Sequence, residues 1–108
     1  MNSIDKKILK ELKTNLASLL GKDLNKIVLF GSHAHNKENK DSDIDILIIL
    51  ENQYDWKKKR MIRDICYETG LKYDSLIDSK IISVYELNYT PKGIHPLYKD
   101  AIEKGIHA

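Results

Sequence analysis

The sequence predicts an α/β domain, a small sheet flanked by helices. Three observations carry this: an amphipathic helical stretch at the start, two apolar runs of strand length at 25–30 and 44–50, and a second helical stretch followed by a mixed third run. The expected order is α, β, β, α, β, α, with no repeat, low-complexity tract or linker between the parts.

Ile4, Ile8, Leu9, Leu12, Leu16, Leu19 and Leu20 fall on one helical face with lysines opposite, so a first helix is expected from a cap at Ser3 to near Gly21. Asn25 to Phe30, NKIVLF, is β-branched and bounded by a polar turn and Gly31, the pattern of a short buried strand. Nearly every position from Ile44 to Leu50 is apolar, which places that strand at the sheet's centre with both faces covered. Between Tyr54 and Gly70 the residues Ile62, Ile65, Cys66 and Thr69 recur at helical spacing, and Gly70 is the expected stop. The segment 72–83 mixes Leu76, Ile77, Ile81 and Ile82 with Asp74 and Asp78 and is expected as a third strand. Residues 86–93 are expected as a loop, and Pro96 opens a last short helix that Gly105 ends.

A length of 108 residues suits one domain, 1–108, with a modest core. Lysine and arginine total 18 against 16 aspartates and glutamates, and a net charge of +2 argues against nucleic acid as a direct partner. The single cysteine, Cys66, excludes an internal disulfide, is expected in the core and suits a reducing compartment. No apolar run approaches the roughly 18 residues that span a bilayer, so no membrane partner is expected and a cytoplasmic location is.

The chemistry concentrates in 29–50, LFGSHAHNKENKDSDIDILIIL. Side chains alternate along a strand, so Asp43 and Asp45 project from one side while Ile44 and Ile46 point away. Two carboxylates in one small volume repel unless a cation meets them. Magnesium is the natural one, because it takes one or two protein carboxylates and completes its shell with water and phosphate. Gly31 and Ser32 lie where the first strand ends; glycine admits close backbone approach, and the serine hydroxyl and backbone N–H groups can hold phosphate oxygens. Gly-Ser alone is an ordinary turn and Asp-Ile-Asp alone an ordinary strand entry, whereas their joint arrangement points to a triphosphate clamp facing a metal.

Gly31-Ser32 followed by Ser42-Asp43-Ile44-Asp45 resembles the signature of the DNA polymerase β-type nucleotidyltransferase superfamily, and the short chain resembles its minimal nucleotidyltransferase (MNT) branch. The resemblance implies a polymerase β-like fold with a small mixed sheet and transfer of a nucleoside monophosphate, AMP from ATP being the expected case. Gly31, Ser32 and Ser42 would bind the nucleotide's phosphates. Asp43 and Asp45 would hold Mg2+, two ions when substrate is bound, with Asp78 sharing the second. The superfamily's third carboxylate, which activates the attacking hydroxyl, is assigned to Asp78, with Asp74 as runner-up. The MNT branch further implies a HEPN ribonuclease toxin as partner and acceptor. One departure stands out: His35 and Asn36 occupy the places of the usual Arg and Gly, and histidine lacks arginine's fixed fork of donors. The alternative reading is therefore a catalytically weak or silent MNT-fold binding module that neutralises its partner by occlusion. A polymerase or repair domain is a weaker third.

The remaining conspicuous residues have plainer readings. Trp56-Lys57-Lys58-Lys59-Arg60 is expected as a solvated helical first turn. His33 and His35 are expected to be exposed or to touch substrate transiently; His95 and His107 have no assigned role. Tyr85, Tyr89 and Tyr98 are expected at the core's edge or on a partner surface.

Overall fold

A computed structural model of the chain describes residues 2–35 and 43–108. Helix α1 (Ser3–Leu20) leads through a short 3-10 turn into β1 (Leu24–Phe30), and β2 (Ile44–Leu50) follows. Helix α2 (Trp56–Lys72), β3 (Ile77–Ser83), α3 (Val84–Tyr89), a second 3-10 turn, α4 (Pro96–Lys104) and β4 (Ile106–His107) complete the order.

The four strands lie in the order β3-β2-β1-β4. β1 is antiparallel to β2 and to β4, whereas β2 and β3 are parallel, so the sheet is mixed as expected. Alternation along β2 divides its side chains between two cores. Ile44, Ile46, Ile48 and Leu50 join the larger cluster with Ile8, Leu12 and Leu16 of α1 and Ile62 and Cys66 of α2. Leu47 and Ile49 join Val28, Ile82 and Ala101 under α3 and α4. Both faces of β2 are therefore dry along most of its length, which its unbroken apolar run requires.

Several boundaries differ from the sequence reading. Asn2, not Ser3, caps α1: Asn2 has extended backbone and its side chain accepts the Asp5 N–H at 2.7 Å, while Ser3 is already helical. The third strand begins only at Ile77, because 72–76 is used by the last turn of α2 and a tight reversal in which Asp74 takes φ +51°. Residues 86–93 are not a loop. Ser83 and Glu86 form a reciprocal capping box that starts α3: the serine hydroxyl accepts the Glu86 N–H at 3.1 Å and the glutamate accepts the Ser83 N–H at 3.2 Å. Burial pushes the Glu86 carboxyl up, but the Tyr54 hydroxyl, the Ser83 N–H and Lys92 outweigh it and hold the group below its usual range.

His95 and His107 acquire structural roles. The His95 ring accepts the Leu97 N–H at 3.1 Å and caps α4, and His107 Nε2 lies 2.8 Å from the Ile102 carbonyl, which ties β4 to α4. Lys58 departs from the solvated run, reaching Asp23 at 2.7 Å, whereas Trp56 is exposed as expected.

Gly70 does not stop α2, which continues to Lys72. Its place is set by space: a Cβ there would lie 2.6 Å from the Ser75 carbonyl oxygen, where the chain turns back toward β3. Alanine gains up to about 1 kcal/mol over glycine inside a helix, yet here the clash is with backbone and cannot be relieved by a side-chain rotation. Gly70→Ala is expected to lower the melting temperature despite its better propensity; a thermal melt at or above wild type would show that the Ser75 turn yields freely.

Candidate active site

The candidate site lies where β1 ends, β2 begins and β3 runs beside it. Phe30 is opposite Asp45 in the antiparallel pair, and Asp45 is level with Asp78 in the parallel pair. Side chains at level positions of neighbouring parallel strands point to the same face of the sheet, on strands about 4.8 Å apart. The alternation that puts Leu47 and Ile49 under α3 and α4 puts Asp45, and by the same period Asp43, on that face beyond the helices' cover. Asp43 is exposed just ahead of β2, and Asp45 and Asp78 are half-buried.

The electrostatics follow from this placement. Burial, then the charges of Asp78 and Asp43, push the Asp45 carboxyl above its usual range; Lys80 and His33 offset part of the rise. The three acids of the sequence reading thus face one another electrostatically, and Asp74 does not join them, since it sits exposed in the reversal after α2. Lys80, two residues along β3 from Asp78 and so on the same face, places its Nζ 3.3 Å from Asp78 Oδ1. Both groups are substantially exposed, and such a pair is weak enough to exchange for another cation.

Gly31 is built for this corner. Its φ of +74° suits glycine, and a Cβ there would meet the Asp45 carboxylate, so the turn closes directly against that side chain. Ser32 follows in a tight turn whose carbonyl accepts the His35 N–H at 3.2 Å. His35 is exposed and, with Phe30, Gly31, Pro96, Leu97 and Lys104, borders a hollow of about 330 Å³ on the same side of the turn. Ser42 and Asn36 lie outside the described residues.

His33 differs from expectation. It is 7 % exposed, and its Nδ1 lies 2.9 Å from Oδ2 of Asp5, which is itself 2 % exposed. The turn rolls inward after Ser32, carrying His33 against the start of α1 and Ala34 into the main core. Asp5 gave no sequence signal beyond that of an acid in a helical first turn.

The donor set suits a hard divalent cation. Carboxylate oxygens are what magnesium takes, one or two at a time, with water and substrate phosphate filling the rest of its shell. Among the described residues no three His, Cys, Asp or Glu side chains are gathered as a self-sufficient metal cage, and a magnesium site completed by substrate needs none.

A short helix-flanked mixed sheet with a Gly-Ser turn over paired strand acids is the architecture of a nucleotidyl-transfer domain. The model of the family described as "Nucleotidyltransferase domain" matches residues 6–106, and the chain belongs to that family. Two proteins of Methanocaldococcus jannaschii, each named "Putative protein adenylyltransferase", are related in sequence. MJ0604 is 32% identical over 94% of this chain and 94% of its own length, and MJ0141 is 37% identical over 65% of this chain and 71% of its own. Among solved structures, a toxin-antitoxin crystallised with AMP-PNP matches 89% of this chain and 68% of its own at a TM-score of 0.57 and 18% identity. A mutant of the MntA-HpeT toxin-antitoxin matches 99% and 72% at the same score and identity. At 18% identity, the likeness to these solved structures is one of fold.

The raised Asp45 carboxyl has a definite sign. The folded protein binds this proton more tightly than the unfolded chain, so the group costs stability at pH values above its raised pKa, and the cost fades as pH falls toward the ordinary value of 3.8. Asp45→Asn is therefore expected to melt above wild type at pH 7 and to lose that advantage near pH 4, while its melting temperature responds little to magnesium with ATP. Differential scanning calorimetry at the two pH values, with and without MgATP, checks both halves.

Proposed function

We propose that this chain transfers AMP from ATP to a hydroxyl group of a protein partner, with Asp43, Asp45 and Asp78 holding Mg2+, two ions when substrate is bound. The observation that carries the reading is the level placement of Asp45 and Asp78 on neighbouring strands, with Asp43 on the same face and Gly31 closing against Asp45. The names of the M. jannaschii relatives support adenylyl transfer to protein, and the toxin-antitoxin neighbours support a toxin as the partner, for which the sequence resemblance implies the HEPN family. Among the described residues no helix is long and apolar enough to cross a membrane, and a buried free thiol at Cys66 agrees with work in the reducing cytoplasm. The small net charge favours a protein over a nucleic acid acceptor.

In this reading the backbone N–H groups of Gly31 and Ser32 and the Ser32 hydroxyl bind phosphate oxygens, with Ser42 contributing from the other side of the loop. Asp43 and Asp45 would hold the cation, whose charge would relieve their mutual repulsion. When bound, magnesium supplies charge to the phosphates and leaving group during in-line displacement. Asp78 accepts the proton of the attacking hydroxyl at a carboxylate oxygen. The hydroxyl oxygen bonds to the α-phosphorus, the bond to the bridging oxygen breaks, and pyrophosphate leaves.

A second reading has its own observation. Lys80 pairs with Asp78, and exposed His35 stands where the family usually has arginine; both suit a module that neutralises its partner by covering it. The assay is label transfer from α-labelled ATP with magnesium to the co-purified partner. Transfer is expected from wild type, and Asp78→Asn is expected to keep ATP binding but reduce the rate on the order of 100-fold, the scale of losing one group aimed at a transition state. A folded complex that transfers no label from any nucleotide yet neutralises the partner would establish occlusion instead.

A further inference from the structure

We propose that Asp5 and His33 form a positioning pair: Asp5, from the first turn of α1, holds the imidazole of His33 and thereby fixes the Gly31–Ser32 turn at the mouth of the acid cluster. The pair joins residues 28 apart in sequence through a buried contact of 2.9 Å. A carboxylate this deeply buried is tolerated only where a polar partner meets it, so the contact is a specific one and not a chance surface pairing.

The connections on each side are short and rigid. Asp5 is fixed in the helical first turn, where its N–H donates to Asn2 Oδ1. His33 is one residue from Ser32, and the turn's own hydrogen bond, from the His35 N–H to the Ser32 carbonyl, spans it. Ala34 packs into the main core beside it. His33 also lies near enough to Asp45 to act on that carboxyl electrostatically. The turn that would hold phosphate is therefore braced from beneath by α1, a helix that supplies no group to the acid cluster. Asp5 touches none of the reacting atoms and acts through His33.

The inference rests on the nucleotide-binding reading of Gly31–Ser32, and two readouts keep the two separable. Amide hydrogen exchange over 31–35 reports on the turn without ligand, and titration with ATP in magnesium reports on its use. Asp5→Ala is expected to speed exchange in 31–35 at least tenfold beyond any change in the β2 amides and to weaken ATP binding at least tenfold. Asp5→Asn, which keeps an acceptor oxygen, should restore much of both and serves if the alanine variant does not fold. Leu16→Ala, a cavity in the same helix remote from the turn, should lower the melting temperature and leave both readouts near wild type. Unchanged exchange in 31–35, unchanged ATP affinity with a loosened turn, or equal loss of affinity in Leu16→Ala would each overturn the proposal. If wild type binds no nucleotide but Asp5→Ala still loosens the turn selectively, the brace stands and the nucleotide reading falls.

Discussion

The constraint on which the site depends is the register between β2 and β3. Because side chains alternate with a period of two, a slip of one residue would turn Asp78 onto the face held by Ile77 and Ile81 and would bury a carboxylate under α2. The slip is opposed by the apolar residues themselves: Ile81 and Ile82 of β3 belong to opposite cores, and each would move into the wrong one. The hydrophobic pattern that drives folding thus also aligns the acids, and no separate device is needed to bring them level.

The same economy governs the end of β1. Phe30 finishes a strand whose inner residues are dry on both faces, and the chain must turn at once to keep Asp45 half in water. Glycine at 31 lets backbone occupy the volume a side chain would take, so the turn approaches the carboxylate closely. Repulsion among the acids then costs stability, against which the burial of the two cores acts. Stability set aside in this way is what a cation-binding corner requires, since a site already satisfied by its own side chains has less to gain from a ligand.

Much of this was legible from residue pattern. Ile44–Leu50 announced a central strand, Gly31-Ser32 and Asp43-Ile44-Asp45 marked the corner proposed as the site, and Pro96 and Gly105 bounded α4 correctly. Ser83-Val84-Tyr85-Glu86 carried a capping-box signature that the turn-rich composition after it obscured. Two features had no local signal. β4 is two residues long, too short to display a period, and exists only because β1 offers an edge. The Asp5–His33 contact joins distant segments, and a histidine beside a glycine turn reads as exposed until the direction of that turn is known. Gly70 misled because a glycine near a helix end usually marks the stop, whereas here it marks a close passage of backbone.

Cys66 sits in the larger core between α2 and β3, and burial pushes its thiol up to about 11. At neutral pH only about one molecule in ten thousand then carries the reactive thiolate, and that one is shielded from solvent. The chain's one sulfur nucleophile is thus chemically silent in the folded state. A cysteine introduced on the exposed surface, at Tyr89 for instance, would be the single position to take a maleimide dye or spin label, so distances from α3 to a bound partner can be measured without first removing the native thiol.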